Sequence, residues 1–240
     1  MVDPRTSIIS ERLKGVGRVV AVSSGKGGVG KSLVAVVLAL TLAKKGCKVG
    51  LFDLDFTSPS THVILGVEGA KPKEDRGLVP PVVHGLEYMS IVYYSGDRAS
   101  PLRGADVSNA LIELLSVTRW GKLDFLVLDM PPGIGDVTLD LVRLIERIEF
   151  LIVTTPSRLA FETVRKLAGL LRELGVPVIG VVENMKMDKA KTIQQQTRKL
   201  GLTYLGQIPY DTKVEGAIGN TNKLKKTMLV NRLRKMAKEV

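Results

Sequence analysis

The chain has 240 residues, of which 45% are hydrophobic and only 5% aromatic. That is enough for one large α/β unit with an aliphatic core. A single cysteine, Cys47, excludes an internal disulfide and any cysteine cluster built within one copy. The longest apolar run, Leu33–Ala43, falls short of the roughly 20 residues that span a bilayer. Asp3, Arg5, Glu11 and Arg12 interrupt any secretory pattern at the start, so a soluble cytoplasmic protein is expected.

Residues 1–15 read as an N-terminal extension. Beyond them, short apolar, β-branched runs alternate with helix-length segments. The predicted strands are Arg18–Ser23, Lys48–Asp53, Leu86–Tyr94, Leu123–Asp129, Phe150–Thr155, Pro177–Glu183 and Leu202–Ile208. Several are apolar throughout rather than alternating, as in strands covered on both faces of a mostly parallel sheet. The predicted helices are Lys31–Lys45, Val107–Val117, Val137–Arg147, Leu159–Leu174 and Ala190–Leu200. Gly46, Gly175 and Gly201 each follow one of them, where a left-handed cap favours glycine. Residues 66–85, with Pro72, Pro80, Pro81 and four charges at 73–76, read as an exposed excursion that a short hairpin would suit. Residues 221–240 read as a C-terminal helix. The alternation predicts one doubly wound α/β domain over residues 1–240, with a mostly parallel sheet of about seven to eight strands and helices on both faces.

SSGKGGVGKS, residues 23–32, fits G-x-x-x-x-G-K-[ST] between a strand and a helix. Gly25, Lys26, Gly27, Gly28, Val29 and Gly30 would turn their backbone N–H groups toward phosphate oxygens, and the following helix adds the positive end of its dipole. Lys31 would reach the terminal phosphates, and the Ser32 hydroxyl would take one site on Mg²⁺. The second lysine, Lys26, sits at the start of the loop and points away from its own phosphates. It is placed to serve a nucleotide held by a facing copy, as an arginine finger does. The reading is thus of Mg²⁺-ATP bound by a homodimer, with Lys26, Lys31 and Asp55 as the catalytic residues.

Carboxylates complete the set. Asp53 and Asp55 end the second strand, where ligands of open parallel sheets lie. Asp55 is expected to orient the attacking water and touch a Mg²⁺-bound water, and Asp53 to be positional. Asp129 ends LDFLVLD and would hold Mg²⁺ through water. The DMPPGIGD loop that it opens suits a segment that orders on the γ-phosphate. Asn184, Pro209 and Asp211 fall at later strand ends and would line a base pocket.

Charge is uneven. Residues 185–240 carry 13 Lys/Arg against four Asp/Glu, a net of +9, which leaves +2 for the rest. Such a surface can attract nucleic acid, anionic lipid or an acidic partner, but a solvated lysine-rich face is the preferred reading, since only Tyr204 and Tyr210 are present there to stack on bases. Leu229, Val230, Leu233, Met236 and Val240 form one helical stripe, for which docking on the chain's own body is the preferred reading over lying on lipid.

K-G-G-x-G-K-S resembles the deviant Walker A signature of P-loop NTPases such as MinD, ParA and nitrogenase iron protein. Together with LFDLDFTSPS, LDFLVLDMPPGIGD, VVENM and QIPYD, over roughly residues 16–215, it is similar to the Mrp/ApbC family. The resemblance implies an ATPase that carries or assembles iron–sulfur clusters, as a homodimer serving a cluster-bearing or apoprotein partner. Many members place C-x-x-C shortly after the ENM segment. Here that stretch, MKMDKAKTIQQQTRK, has no cysteine, so a cluster held by this chain's own thiolates is not expected. Smaller departures are Leu33, where a second hydroxyl often follows Ser32, and Ser58, where glycine often precedes Pro-Ser. The alternative is a ParA/MinD-like positioning ATPase that binds DNA or membrane in its ATP state.

Overall fold

The computed structural model describes residues 5–95 and 104–240. After α1 (Arg5–Leu13) come β1 (Val16–Ser23), α2 (Lys31–Lys44), β2 (Val49–Asp53) and the short α3 (Thr61–Leu65). A hairpin of β3 (Lys73–Glu74) and β4 (Leu78–Val79) precedes β5 (Val82–Val83), β6 (Leu86–Ser90) and α4 (Val92–Ser95). The chain then runs through α5 (Ala105–Val117), β7 (Leu123–Asp129), α6 (Asp136–Leu144), β8 (Ile148–Thr154), α7 (Arg158–Glu173), β9 (Val178–Lys186), α8 (Thr192–Lys199) and β10 (Tyr204–Pro209). It closes with α9 (Thr221–Leu224) and α10 (Met228–Met236).

Eight strands form one sheet in the order β10-β9-β8-β1-β7-β2-β6-β5. All neighbours are parallel except β5 and β6. β1 owes its central place to residues that suit burial on both sides. Val19 and Ala21 join the core under α5, α6 and α7, whereas Val20 and Val22 join the core under α2 and α10. The chain leaves β1 for β2 on one side and returns through β8 on the other. The carboxyl end of β1 is therefore a switch point, where a crevice opens above the sheet.

The caps follow the residue types. Gly46, Gly175 and Gly201 all have positive φ, closing α2, α7 and α8 in the left-handed conformation that glycine adopts without a Cβ clash. Ser157 and Thr227 cap α7 and α10 by accepting from backbone N–H groups three residues on.

The structure adds detail to four sequence expectations. Within the N-terminal extension α1 docks, with Ile9 fully buried in the core shared with α5 and α6. The strand from Leu86 stops at Ser90, whose hydroxyl accepts from Val92 N and starts α4. The 66–85 excursion holds the hairpin and also supplies β5, which pairs antiparallel with β6 through Val82 and Val83. The C-terminal helix is broken into α9 and α10 at Thr227, whose hydroxyl donates to Leu224 O (2.7 Å) as it caps the next turn.

The stripe on α10 is spent on the chain's own body: Leu229, Val230, Leu233 and Met236 are buried against α2 and β10. Replacing Leu233 by Ala is expected to lower the unfolding free energy by about 2–5 kcal/mol. Denaturant titration measures this, and an unchanged midpoint would show that α10 does not dock in solution.

Candidate functional site

The loop from Ser24 to Gly30 joins β1 to α2 at the switch point. Gly28 and Gly30 have φ of 77° and 81°, which L side chains rarely adopt. Crowding adds a second constraint. A Cβ on Gly30 would overlap the amide of Asn184, and one on Gly25 would overlap Thr163 of α7. The start of α2 has no side-chain cap at Gly30, so its first N–H groups are left for an anion.

Beneath the loop lies a buried ion pair. Lys31 Nζ is 2.6 Å from Asp129 Oδ1 and 3.2 Å from Ser32 Oγ. The two charged side chains are 7% and 0% exposed. Burial pushes the Asp129 carboxyl up from the ordinary aspartate range, Lys31 pulls it down, and nearby Asp53 pushes it up again. Asp129 Oδ2 is buried with no hydrogen-bond partner among the described residues. A buried acceptor without a partner is costly, and it is free to accept from a ligand or a metal-bound water.

Asp53 and Asp55 sit one strand over, Asp53 in register with Asp129. Asp53 is fully buried, and its carboxylate accepts hydrogen bonds from the chain that follows it, residues 55–61. Its Oδ2 accepts from Thr61 Oγ1 (2.7 Å), Thr61 N (3.1 Å) and Ser60 N (3.2 Å), and its Oδ1 accepts from Asp55 N (3.1 Å). Burial raises its pKa against these donors. Asp53 therefore fastens the start of α3. Asp55 accepts on Oδ1 from Thr57 Oγ1 (2.8 Å) and Ser58 N (3.0 Å), which folds the loop 55–58 around it. Ser58 takes part through its backbone, a contact that glycine there would also make.

The loop after β7 leans on the phosphate loop. Gly133 N donates to Ser24 O (2.9 Å), and Met130 N to Val22 O (3.1 Å). Gly133 turns with φ of 91°. Lys26 is exposed, and its side chain makes no ion pair among the described residues.

Asn184, Pro209 and Asp211 come together in a cleft of about 210 Å³ with Leu33, Met185 and Tyr210. Two of the three also have structural partners. Asn184 Nδ2 donates to Val29 O (2.9 Å), bracing the phosphate loop. Asp211 accepts from Met228 N (2.8 Å) at the head of α10 and from Lys213 N (3.0 Å).

Cys47 is half-buried just before β2 and packs against the α2 side of the core. It lies at the amino end of the strand whose carboxyl end carries Asp53. Among the described residues, no group of three or more His, Cys, Asp or Glu is placed to hold a metal ion.

Residues 15–240 match the family described as ParA, NUBPL iron-transfer P-loop NTPase. The chain belongs to that family. Relatives of this P-loop NTPase include proteins named iron–sulfur cluster carrier protein. That of Aquifex aeolicus is 39% identical over 220 residues, covering 85% of this chain and 60% of that protein. That of Pseudomonas fragi is 46% identical over 72% of this chain and 62% of its own, and that of Methanococcus maripaludis 37% identical over 90% and 81%. The chain thus spans about three-fifths of the length of the first two. Among solved structures, a nucleotide-binding protein of Archaeoglobus fulgidus in complex with ADP superposes with a TM-score of 0.78 at 31% identity, covering 92% of this chain and 93% of that one. The Pyrococcus furiosus cell division ATPase MinD superposes at 0.67 with 21% identity, over 93% and 98%, which shows the shared fold alone. No described helix of the NTPase is long and apolar enough to cross a membrane.

Motif reading found the loop and its carboxylates in this NTPase but missed their supports. Thr163 carries no signal, because only the packing of α7 brings it against Gly25. The contact between Asn184 and Val29 spans 155 residues and has no local mark either. Replacing Asp129 by Ala strands the buried Lys31 ammonium, and is expected to lower nucleotide-free stability by about 3–5 kcal/mol. Chemical denaturation reads this directly. A loss below about 1 kcal/mol would mean that the ion pair does not form.

Proposed function

We propose that the chain is a Mg²⁺-dependent ATP-binding and ATP-hydrolysing switch that works as a homodimer in iron–sulfur cluster carriage or assembly. The observation that carries this reading is the Lys31–Asp129 pair beneath a left-handed glycine loop, with Asp129 Oδ2 unpartnered. Family membership and the cluster-carrier relatives supply the role.

The donor set suits the ion. Ser32, Asp55 and Asp129 offer hydroxyl and carboxylate oxygens, the ligands a hard divalent cation takes directly or through water. Mg²⁺ bound there would supply positive charge beside the phosphates. Lys31 exchanges Asp129 for the terminal phosphates, one anion for another. That exchange frees the Asp129 carboxylate, which would then be available to hold the ion. Asp55, held at the head of its loop, orients the attacking water. The amides of residues 25–32 receive the phosphates, and the cleft with Asn184, Pro209 and Asp211 takes the base. Lys26, exposed and without an ion pair among the described residues, serves the nucleotide of a facing copy.

The cluster is cargo in this reading, and a partner protein bears its thiolate ligands. Support comes from Cys47, the one cysteine in the sequence, which lies just before β2, at the opposite end of the parallel strands from the phosphate loop. Burial of the α10 stripe weakens the membrane-positioning alternative.

Calorimetry should show that Lys31→Ala nearly abolishes Mg²⁺-ATP binding. Lys26→Ala should retain binding but hydrolyse about 10- to 1,000-fold more slowly, less than the full effect of an arginine finger. Hydrolysis at the wild-type rate would remove Lys26 from the mechanism. Anaerobic reconstitution with iron and sulfide should leave the protein colourless. Charge-transfer bands at stoichiometric iron would show that this chain holds a cluster after all.

A further inference from the structure

The cleft beside the phosphate loop is shaped by a backbone conformation that its residue resists. Met185 has φ of 58°, in the left-handed region where a Cβ is crowded and glycine is at ease. Such a conformation persists only where its surroundings hold it. Here the surroundings are a buried charge cluster on the residues that bracket Asn184 and Met185. Lys186 Nζ lies 2.8 Å from Glu183 Oε1, and the two side chains are 3% and 1% exposed. In a regular strand, residues three apart point to opposite faces. The left-handed turn at Met185 brings these two together.

The cluster is complete. The three ammonium donors of Lys186 have three acceptors: Glu183 Oε1, Asp188 Oδ1 (2.9 Å) and Ala190 O (2.6 Å). The second oxygen of Glu183 accepts from the Tyr204 hydroxyl (2.6 Å). Burial alone would depress the lysine, but Glu183 and Asp188 overcome it and hold the ammonium above its usual pKa. The Lys186 carbonyl accepts from Tyr210 N (3.0 Å), which ties this cluster to the turn carrying Pro209. Lys189 and Lys191, on the same stretch, are exposed and make no ion pair among the described residues.

We propose that Lys186 is a positioning residue for base selection: paired with Glu183, it clamps the left-handed Met185 and so fixes the Asn184 amide at the cleft. This rests on the reading of the chain as an adenine-nucleotide switch. Lys186 does not line the cleft and does not touch the phosphate loop, so it acts through Asn184 and Met185. Its loss frees Met185 to return to the extended region and Asn184 to turn away. Asn184 also braces Val29 of the phosphate loop, so affinity for both nucleotides falls, and the choice of base weakens beyond that shared loss.

The test is calorimetry of the full chain with Mg²⁺-ATP and with Mg²⁺-GTP, for wild type, K186M, M185G and the double variant. Wild type is expected to prefer ATP. K186M should reduce the ATP-to-GTP affinity ratio by about tenfold, the size of one side-chain hydrogen bond, on top of any loss that both nucleotides share through the Val29 brace. In the M185G background the same lysine change should have little effect on the ratio, because glycine keeps the left-handed turn without a clamp. A loss that only reflects a loosened fold would be equal in both backgrounds, and that result overturns the proposal. So does an unchanged ratio in K186M. Wild type that binds neither nucleotide overturns the switch reading and the clamp with it, whereas wild type that prefers ATP beside an indifferent K186M overturns the clamp alone. If thermal melting shows K186M unfolded, Tyr204→Phe removes one hydrogen bond to Glu183 and should shift the ratio less, in the same direction. An unchanged ratio there also counts against the clamp.

Discussion

The ion pair between Lys31 and Asp129 is the constraint around which the rest is arranged. Taking two charges out of water is unfavourable, and only close approach with further hydrogen bonding offsets it. Lys31 opens α2 and Asp129 closes β7, 98 residues apart, so the pair binds the phosphate loop to the strand beside it. It also sets the resting electrostatics. Without an anion above it, the loop's lysine is already neutralised by a carboxylate. In the proposed function, a polyphosphate competes for that lysine, and its success releases a carboxylate into the same space. On that reading, binding and the availability of Asp129 are one event.

Around this pair, the loops at the top of the sheet are fastened to one another rather than to distant surface. Asp53 holds the start of α3, Ser24 holds Gly133, and Val29 is held by Asn184. Strands β1, β2, β7 and β9 thus each contribute a fixed post to the same crevice. The pinning is asymmetric. Both acids are buried, but they have different partners: Asp53 is held by the start of α3 through Ser60 and Thr61, Asp55 by Thr57 and Ser58 of its own short loop.

Much of this was legible in the residues, for reasons that are local. VVAV, residues 19–22, reads as a strand covered on both faces because neither face has a polar position to give to water. Gly46, Gly175 and Gly201 mark helix ends because the conformation there excludes most other residues. The phosphate loop is legible because its chemistry needs those types at that spacing. What escaped is non-local or too short to show a period. β5 is two residues whose pairing is decided by β6. The break between α9 and α10 turns on a single hydroxyl, that of Thr227, choosing cap over continuation. The meeting of Glu183 and Lys186 contradicts strand parity, and only the left-handed Met185 between them makes it possible.

The placement of β1 has a consequence for the order in which the molecule is made. β1 pairs with β7 and β8 and not with β2, the strand that follows it in the chain. During synthesis from the amino end, the glycine loop leaves the ribosome long before Asp129, the β8 partner or Asn184 exists to support it. Contacts so far apart in sequence form late and slowly. A nascent or truncated chain therefore displays the motif without the grip, and only a finished sheet can draw nucleotide from the cellular pool.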